Sequence, residues 1–217
     1  ILGRDKEFGE TFNDMQKLVH RASSTSRSHS YMHLLIEKFS NLVLTRQIAA
    51  AADWAKTYPI KEDACCRPKV ICDYLDLQII DPNSSAYLTS SEIKELQQTK
   101  FDFFDGCSRD IVLLRWQLKQ KEWTLSHDGL LLALKRRVMA SHYPELRFKF
   151  HLLEIEKAIV DKNTQELGEL ISKVIKLCTK YEMYQWPEFL HNIDAKLKQK
   201  RLRAKVRSLK GFVENVQ

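Results

Sequence analysis

Glycine and proline are scarce in this sequence, with six and five residues respectively in a chain of 217. All-β folds consume such turn residues at every hairpin, so the scarcity argues against them and favours few, long elements. Long apolar runs are missing too. None reaches the roughly 18 residues that a bilayer-spanning helix needs, and the longest candidate is interrupted by Glu37, Lys38 and Arg46. There is no Cys-x-x-Cys pair. The five cysteines, Cys65, Cys66, Cys72, Cys107 and Cys178, are odd in number and irregular in spacing, which points to buried thiols in a reducing compartment rather than a disulfide framework. An intracellular location, cytoplasmic or nuclear, is the expectation. The chain begins at Ile1 and is expected to be a piece of a larger protein or assembly.

Chemistry-bearing motifs are equally sparse. No G-x-x-x-x-G-K-[ST] loop, G-x-G-x-x-G turn, G-x-S-x-G elbow or H-E-x-x-H pair occurs. The run Ser23–Ser30 resembles the serine-rich switch of kinesin motors over about eight residues, but the phosphate-cradling loop of such a motor has no counterpart here. The run is expected to be a polar linker. Asp102, Asp105 and Asp110 could approach the acidic pairs that hold magnesium in helical prenyl-diphosphate enzymes only with help from Asp73, Asp76 and Asp81. The simpler expectation places these aspartates in solvent, on a helix whose phenylalanines face inward. His29 and His33 share a helical face but lack the third ligand of a catalytic zinc. No enzyme activity, cofactor or metal is expected.

What is present is helical patterning. The hydrophobic share is 44%, and apolar residues recur at spacings of three and four. Phe8, Phe12, Met15, Leu18 and Val19 stripe residues 5–21. From Tyr31 to Tyr58 the sequence is apolar on nearly all sides, through Leu34, Leu35, Ile36, Phe39, Leu42 and Val43 to the alanines 49–52, which predicts one central helix stopped by Pro59. A short helix follows Pro68 and ends at Asp81-Pro82. Thr89 and Glu92 have the spacing of a capping box, opening a helix expected to run through Phe101, Phe103 and Phe104 to Gly106, with Ser108 capping the next. Ser126 precedes a helix that should hide Leu130, Leu131, Leu134, Val138 and Met139 and expose the basic triplet 135–137. Pro144 opens another, Thr164 caps one more, and Trp186-Pro187 opens the last.

The predicted fold is all-α: an irregular multi-helix bundle, or a short helical-repeat-like array, of about nine helices ending in a long basic C-terminal helix. Its expected divisions are an N-terminal helical part, 1–81, a C-terminal helical part, 90–195 (continuous with the first if the core is shared), and the basic helix, 196–217.

The charge is unevenly spread. Lys196, Lys198, Lys200, Arg201, Arg203, Lys205, Arg207 and Lys210 face Glu214 alone, while the first 195 residues hold 27 charges of each sign. Leu202, Val206, Leu209, Val213 and Val216 step by 4, 3, 4 and 3, the seam of a helix that pairs with another helix. Tyr181, Tyr184 and Trp186 form an aromatic cluster of the kind enriched at contact hot spots. These features predict a non-enzymatic scaffold or adaptor domain that binds a protein partner. The alternative is nucleic-acid binding through residues 196–210, the third reading is an anionic membrane surface, and a homo-oligomer could form along the seam.

Overall fold

The computed structural model describes residues 9–15, 17, 24–44, 47–58, 60–62, 67–81 and 87–180, and they are all-helical, with no strand among them. The predicted basic C-terminal helix, its seam and the aromatic cluster lie outside the described residues. Residues 9–15 are helical. The bounded elements that follow are α1 (Ser24–Leu44), α2 (Ile48–Thr57), a 3-10 turn (Ile60–Glu62), α3 (Arg67–Ile80), α4 (Ser90–Gln98), α5 (Phe103–Gln120), α6 (Leu125–Ala140), α7 (Pro144–Val160) and α8 (Thr164–Lys180). Among the described residues, no helix is long and apolar enough to cross a membrane.

The local signals explain most of these elements. Thr89 and Glu92 form the expected capping box: the Glu92 amide donates to Thr89 Oγ1 at 3.3 Å, and the Thr89 amide donates to Glu92 Oε2 at 2.8 Å. Pro144 takes the first position of α7, where its missing N–H costs nothing. That helix buries Leu146, Phe148, Phe150, Leu152, Leu153, Ile155 and Ala158. In α1 the residues Leu34, Leu35, Ile36, Phe39, Leu42 and Val43 are buried as the periodicity predicts.

Several boundaries differ from the sequence expectation. The serine-rich run is not a linker, since residues 24–30 form the first turns of α1. Serine is only modestly worse than alanine in a helix, and extending an established helix costs far less than starting one. The apolar stretch 31–58 is two helices rather than one. Gln47 adopts φ −78°, ψ 64° between them, and α2 folds back so that Trp54 Nε1 donates to the Leu35 carbonyl at 3.2 Å. Of the alanines 49–52 only Ala51 is fully buried.

The helix opened by Thr89 ends at Gln98. Asp102 starts a new one, its Oδ1 accepting from the Asp105 amide at 2.9 Å, which puts Gly106 and Ser108 inside α5. At α6 the cap is Thr124, whose amide donates to His127 Nδ1 at 3.0 Å, so Ser126 lies within the helix. At α8 the cap is Asn163, accepting from the Glu166 amide at 3.3 Å; Thr164 is the first helical residue.

Among the described residues, three of four apolar clusters share two spine helices; the fourth is a small one of Phe12 and Leu34 against Trp54. The first gathers α1, α2 and α3 with Leu88, Leu96 and Val112. The second joins Ile111, Leu114 and Leu118 of α5 to Leu134 and Val138 of α6 and to Leu146, Phe150 and Leu153 of α7. The third joins Phe148, Leu152 and Ile155 of α7 to Leu167, Leu170, Ile171, Val174 and Cys178 of α8. Thus α5 and α7 each serve two clusters, and α3 packs on α5, α5 on α7 and α7 on α8. The helix α6 is left on the flank.

Candidate protein-interaction face

The sequence LSHDGLLLALKRRVMA of α6 carries more leucine than one buried stripe can hold. At about 100° per residue, three consecutive leucines at 130, 131 and 132 span most of a helix circumference. The core takes Leu134 and Val138 and part of Leu131 and Met139. Leu125, Leu130 and Leu132 remain outside, with 88%, 58% and 52% of their surface exposed. The expectation that Leu130 is internal is therefore corrected. Leu130 lines the side of α6 that faces α5, whereas Leu132 borders a depression against α7 on the other flank. Leu125, seven residues before Leu132, shares that side of the helix.

Between α5 and α6 runs a groove of about 400 Å³, floored by Leu113, Leu114, Leu130, Ala133 and Leu134. Its rim is charged. Asp110 Oδ1 accepts from Arg109 Nε at 2.9 Å and Nη2 at 2.7 Å, and its Oδ2 accepts from Arg137 Nη1 at 3.1 Å. Arg109 also donates to the Thr99 carbonyl at 2.6 Å and lies over the Phe101 ring at 5.3 Å. Arg137 lies over Phe103 at 5.8 Å, and the Phe103 ring stands 6.4 Å from that of Tyr143. Both of these rings are nearly half exposed, so the expectation that the α5 phenylalanines face inward fails at Phe103. Arg137 thus links the groove to an exposed aromatic pair.

The opposite flank of α6 is polar. A depression of about 260 Å³ there includes Asp128, Leu132, Lys135, Glu154 and Lys157. Lys135 bonds Glu154 at 2.6 Å, and His151 Nδ1 lies 2.7 Å from the same carboxylate. Burial opposes the Glu154 charge, but these two partners outweigh it and hold its pKa below the ordinary value. Trp123 Nε1 donates to Asp128 at 3.0 Å, and Lys157 sits over the Trp123 ring at 5.3 Å.

The interior charges are arranged differently. A cavity of about 120 Å³ between α1, α3, α5 and α7 is bordered by Ser40, Lys69, Asp73, Asp105, Glu145 and Lys149, room for only a few waters. Ser40 donates to Asp73, Lys69 pairs with Glu37, and Lys149 lies 2.9 Å from Glu145 and 3.4 Å from Ser108 Oγ. Burial pushes the Asp73 carboxyl up to about 6 despite Lys149, the Ser40 hydroxyl and Lys69. Burial disfavours the Lys149 ammonium, but Glu145 and Asp73 more than compensate and raise its pKa. Deeper in, Arg115 pairs with Asp76 and, at 2.6 Å, with Glu156.

These groups neutralise one another across helices. Asp102 serves as a cap, Asp105 borders the cavity, Asp110 is held by arginines, and Asp73 and Asp76 face Ser40 and Arg115. Among the described residues no three or more His, Cys, Asp or Glu side chains gather as a metal site. Burial raises the pKa of Cys72, Cys107 and Cys178, the last to about 12, so these thiols stay protonated at neutral pH.

The basic residues 196–210, the seam at 202–216 and the cluster Tyr181, Tyr184 and Trp186 lie outside the described residues. The α6 face was missed because its leucines were assigned to the core. The signal was available in the run 130–132, which no single stripe accommodates. No family model, no curated protein and no solved structure matches the chain, so its functional reading rests on the physics of this face.

Proposed function

We propose that the chain is a non-enzymatic helical scaffold or adaptor domain that mediates protein–protein interaction, with α6 as its principal contact helix. The observation that carries this reading is the exposure of Leu125, Leu130 and Leu132 on one helix. Single exposed apolar residues are ordinary on protein surfaces. Here Leu130 lines a groove that continues to Phe103 and Tyr143 through Arg137, an apolar surface of the kind that marks an association site. Leu125 and Leu132 expose further hydrocarbon on the other side of the same helix. The successive packing of α3, α5, α7 and α8 is compatible with the repeat-like scaffolds that present extended surfaces to partners. The basic segment 196–217 and its seam provide a second contact.

The test is a photo-crosslinking amino acid at position 132 of the full chain, expressed in cells. The reading expects a discrete protein adduct that is reduced by Leu125→Ser. Absence of any protein adduct at 132 contradicts it.

A second reading, nucleic-acid binding, is favoured by the eight Lys and Arg facing Glu214 alone in residues 196–217. It expects salt-steep binding of single- or double-stranded nucleic acid that is lost in a 1–195 truncation. Salt-independent binding, or none, removes it.

A further inference from the structure

The α5/α6 groove has chemistry of its own, apart from Leu125 and Leu132. Its floor is aliphatic and its volume of about 400 Å³ lies within the range of about 300–1,000 Å³ typical of ligand pockets. Helical segments dock into such grooves through anchors spaced three and four residues apart, which fill the floor with apolar side chains.

The rim then selects among such segments by charge. Two guanidinium groups, Arg109 and Arg137, border the groove with one carboxylate, Asp110, between them. Arg109 is committed, giving Nε and Nη2 to Asp110 and Nη1 to the Thr99 carbonyl. Arg137 is not. Among the described residues it gives only Nη1, to Asp110, and its side chain is 45% exposed. Among the described residues its Nε and Nη2 hydrogens meet no acceptor, and Arg137 lines the apolar groove; a carboxylate can take two hydrogen bonds from one guanidinium. The next residue, Arg136, is also exposed.

This polarity argues against two other occupants. The chain's own segment 196–217 carries eight Lys and Arg against one Glu, and seating it here would set like charges against Arg109 and Arg137. A second copy meeting the first through the same groove would set two rims of net positive charge against each other, each with Arg109 and Arg137 against one Asp110.

We infer that the α5/α6 groove receives an acidic amphipathic helical segment of a partner protein, whose aliphatic side chains fill the floor between Leu113 and Leu130 and whose carboxylate meets Arg137. This rests on the protein-interaction reading and adds the partner's chemistry to it.

The experiment pans a displayed library of random 16-residue peptides on the full chain, with the Leu130→Asp variant as counter-selection. The most enriched peptide is then synthesised for anisotropy titrations. Peptides recovered on the parent should combine aliphatic residues at helical spacing with a net negative charge. Arg137→Glu should weaken the synthesised peptide by about tenfold or more, and added salt should weaken it further. Leu130 is exposed, so Leu130→Asp should keep the parent's far-ultraviolet circular dichroism while losing the peptide. Enrichment of basic or uncharged peptides, affinity indifferent to Arg137→Glu, or no peptide that discriminates parent from Leu130→Asp would overturn the inference. The crosslink at position 132 separates the two claims. An adduct there without an acidic groove ligand leaves the adaptor reading standing and removes only this one, whereas failure of both removes both.

Discussion

Helices α3 and α6 make opposite use of their side chains. Residues 70–78 of α3 are buried without exception, Asp73, Asp76 and Gln78 included. In α6 only Leu134 and Val138 are buried, and three leucines stand in solvent. One helix hides charge and the other displays hydrocarbon. Central position forces the first outcome: contacts with α1, α2, α4 and α5 leave residues 70–78 no outward face, so their polar groups find partners such as Ser40 and Arg115. Peripheral position permits the second, since among the described residues α6 packs chiefly on α5 and α7 and leaves Leu125, Leu130 and Leu132 exposed.

The sharpest way to break this comparison is at Arg115, whose side chain is 3% exposed between Asp76 and Glu156. Removing one partner of a buried ion pair strands the others, so Arg115→Met should cost about 3–5 kcal/mol in denaturant unfolding. Adding Asp76→Asn should recover part of that loss. A loss below about 1 kcal/mol would mean that solvent reaches the pair.

Next in size is Leu75, fully buried on α3. Leu75→Ala should cost about 2–5 kcal/mol through lost burial and the cavity left behind, and a cost under about 0.5 kcal/mol would place α3 at the surface.

Asp73 sharpens the comparison through pH. Its folded carboxyl titrates near 6 against an ordinary value of 3.8, chiefly because of burial. A raised acid pKa means that the folded state holds the proton more tightly, so the cost of ionising Asp73 is absent below the unfolded value. That cost grows between pH 4 and 6 and is complete above. Asp73→Asn, which cannot ionise, should therefore be more stable than the parent by about 1–3 kcal/mol at pH 7 and equal to it near pH 4. Equal stability at pH 7, or a less stable variant, would show that Lys149 and Lys69 offset the burial cost. Thermal unfolding across that pH range reads the difference.

The contrast also shows what a sequence discloses. The capping box at Thr89 and Glu92, the helix start at Pro144 and the buried stripe from Leu34 to Val43 are carried by local patterns, and the structure agrees with them. The breaks near Gln47 and between Gln98 and Asp102 were not legible, because Gln47 is no conventional breaker and Phe101, Phe103 and Phe104 continue an apolar pattern across the gap. The serines of residues 24–30 suggested a linker from composition, whereas the helix extends through them from its apolar body. The partners that retain Asp73 and Asp76 in the core lie some thirty to forty residues away in sequence, on α1 and α5. Nor could the run 130–132 disclose which of its leucines faces inward; that depends on how α5 and α7 orient α6.

The most direct test of the central claim, that the outer leucines of α6 serve association rather than folding, is the unfolding free energy of Leu125→Ser/Leu132→Ser. If those side chains are surface groups as observed, the variant should match the parent within about 0.5 kcal/mol. A loss of about 2 kcal/mol or more would show instead that the leucines are buried within the folded chain, and would contradict the interaction face.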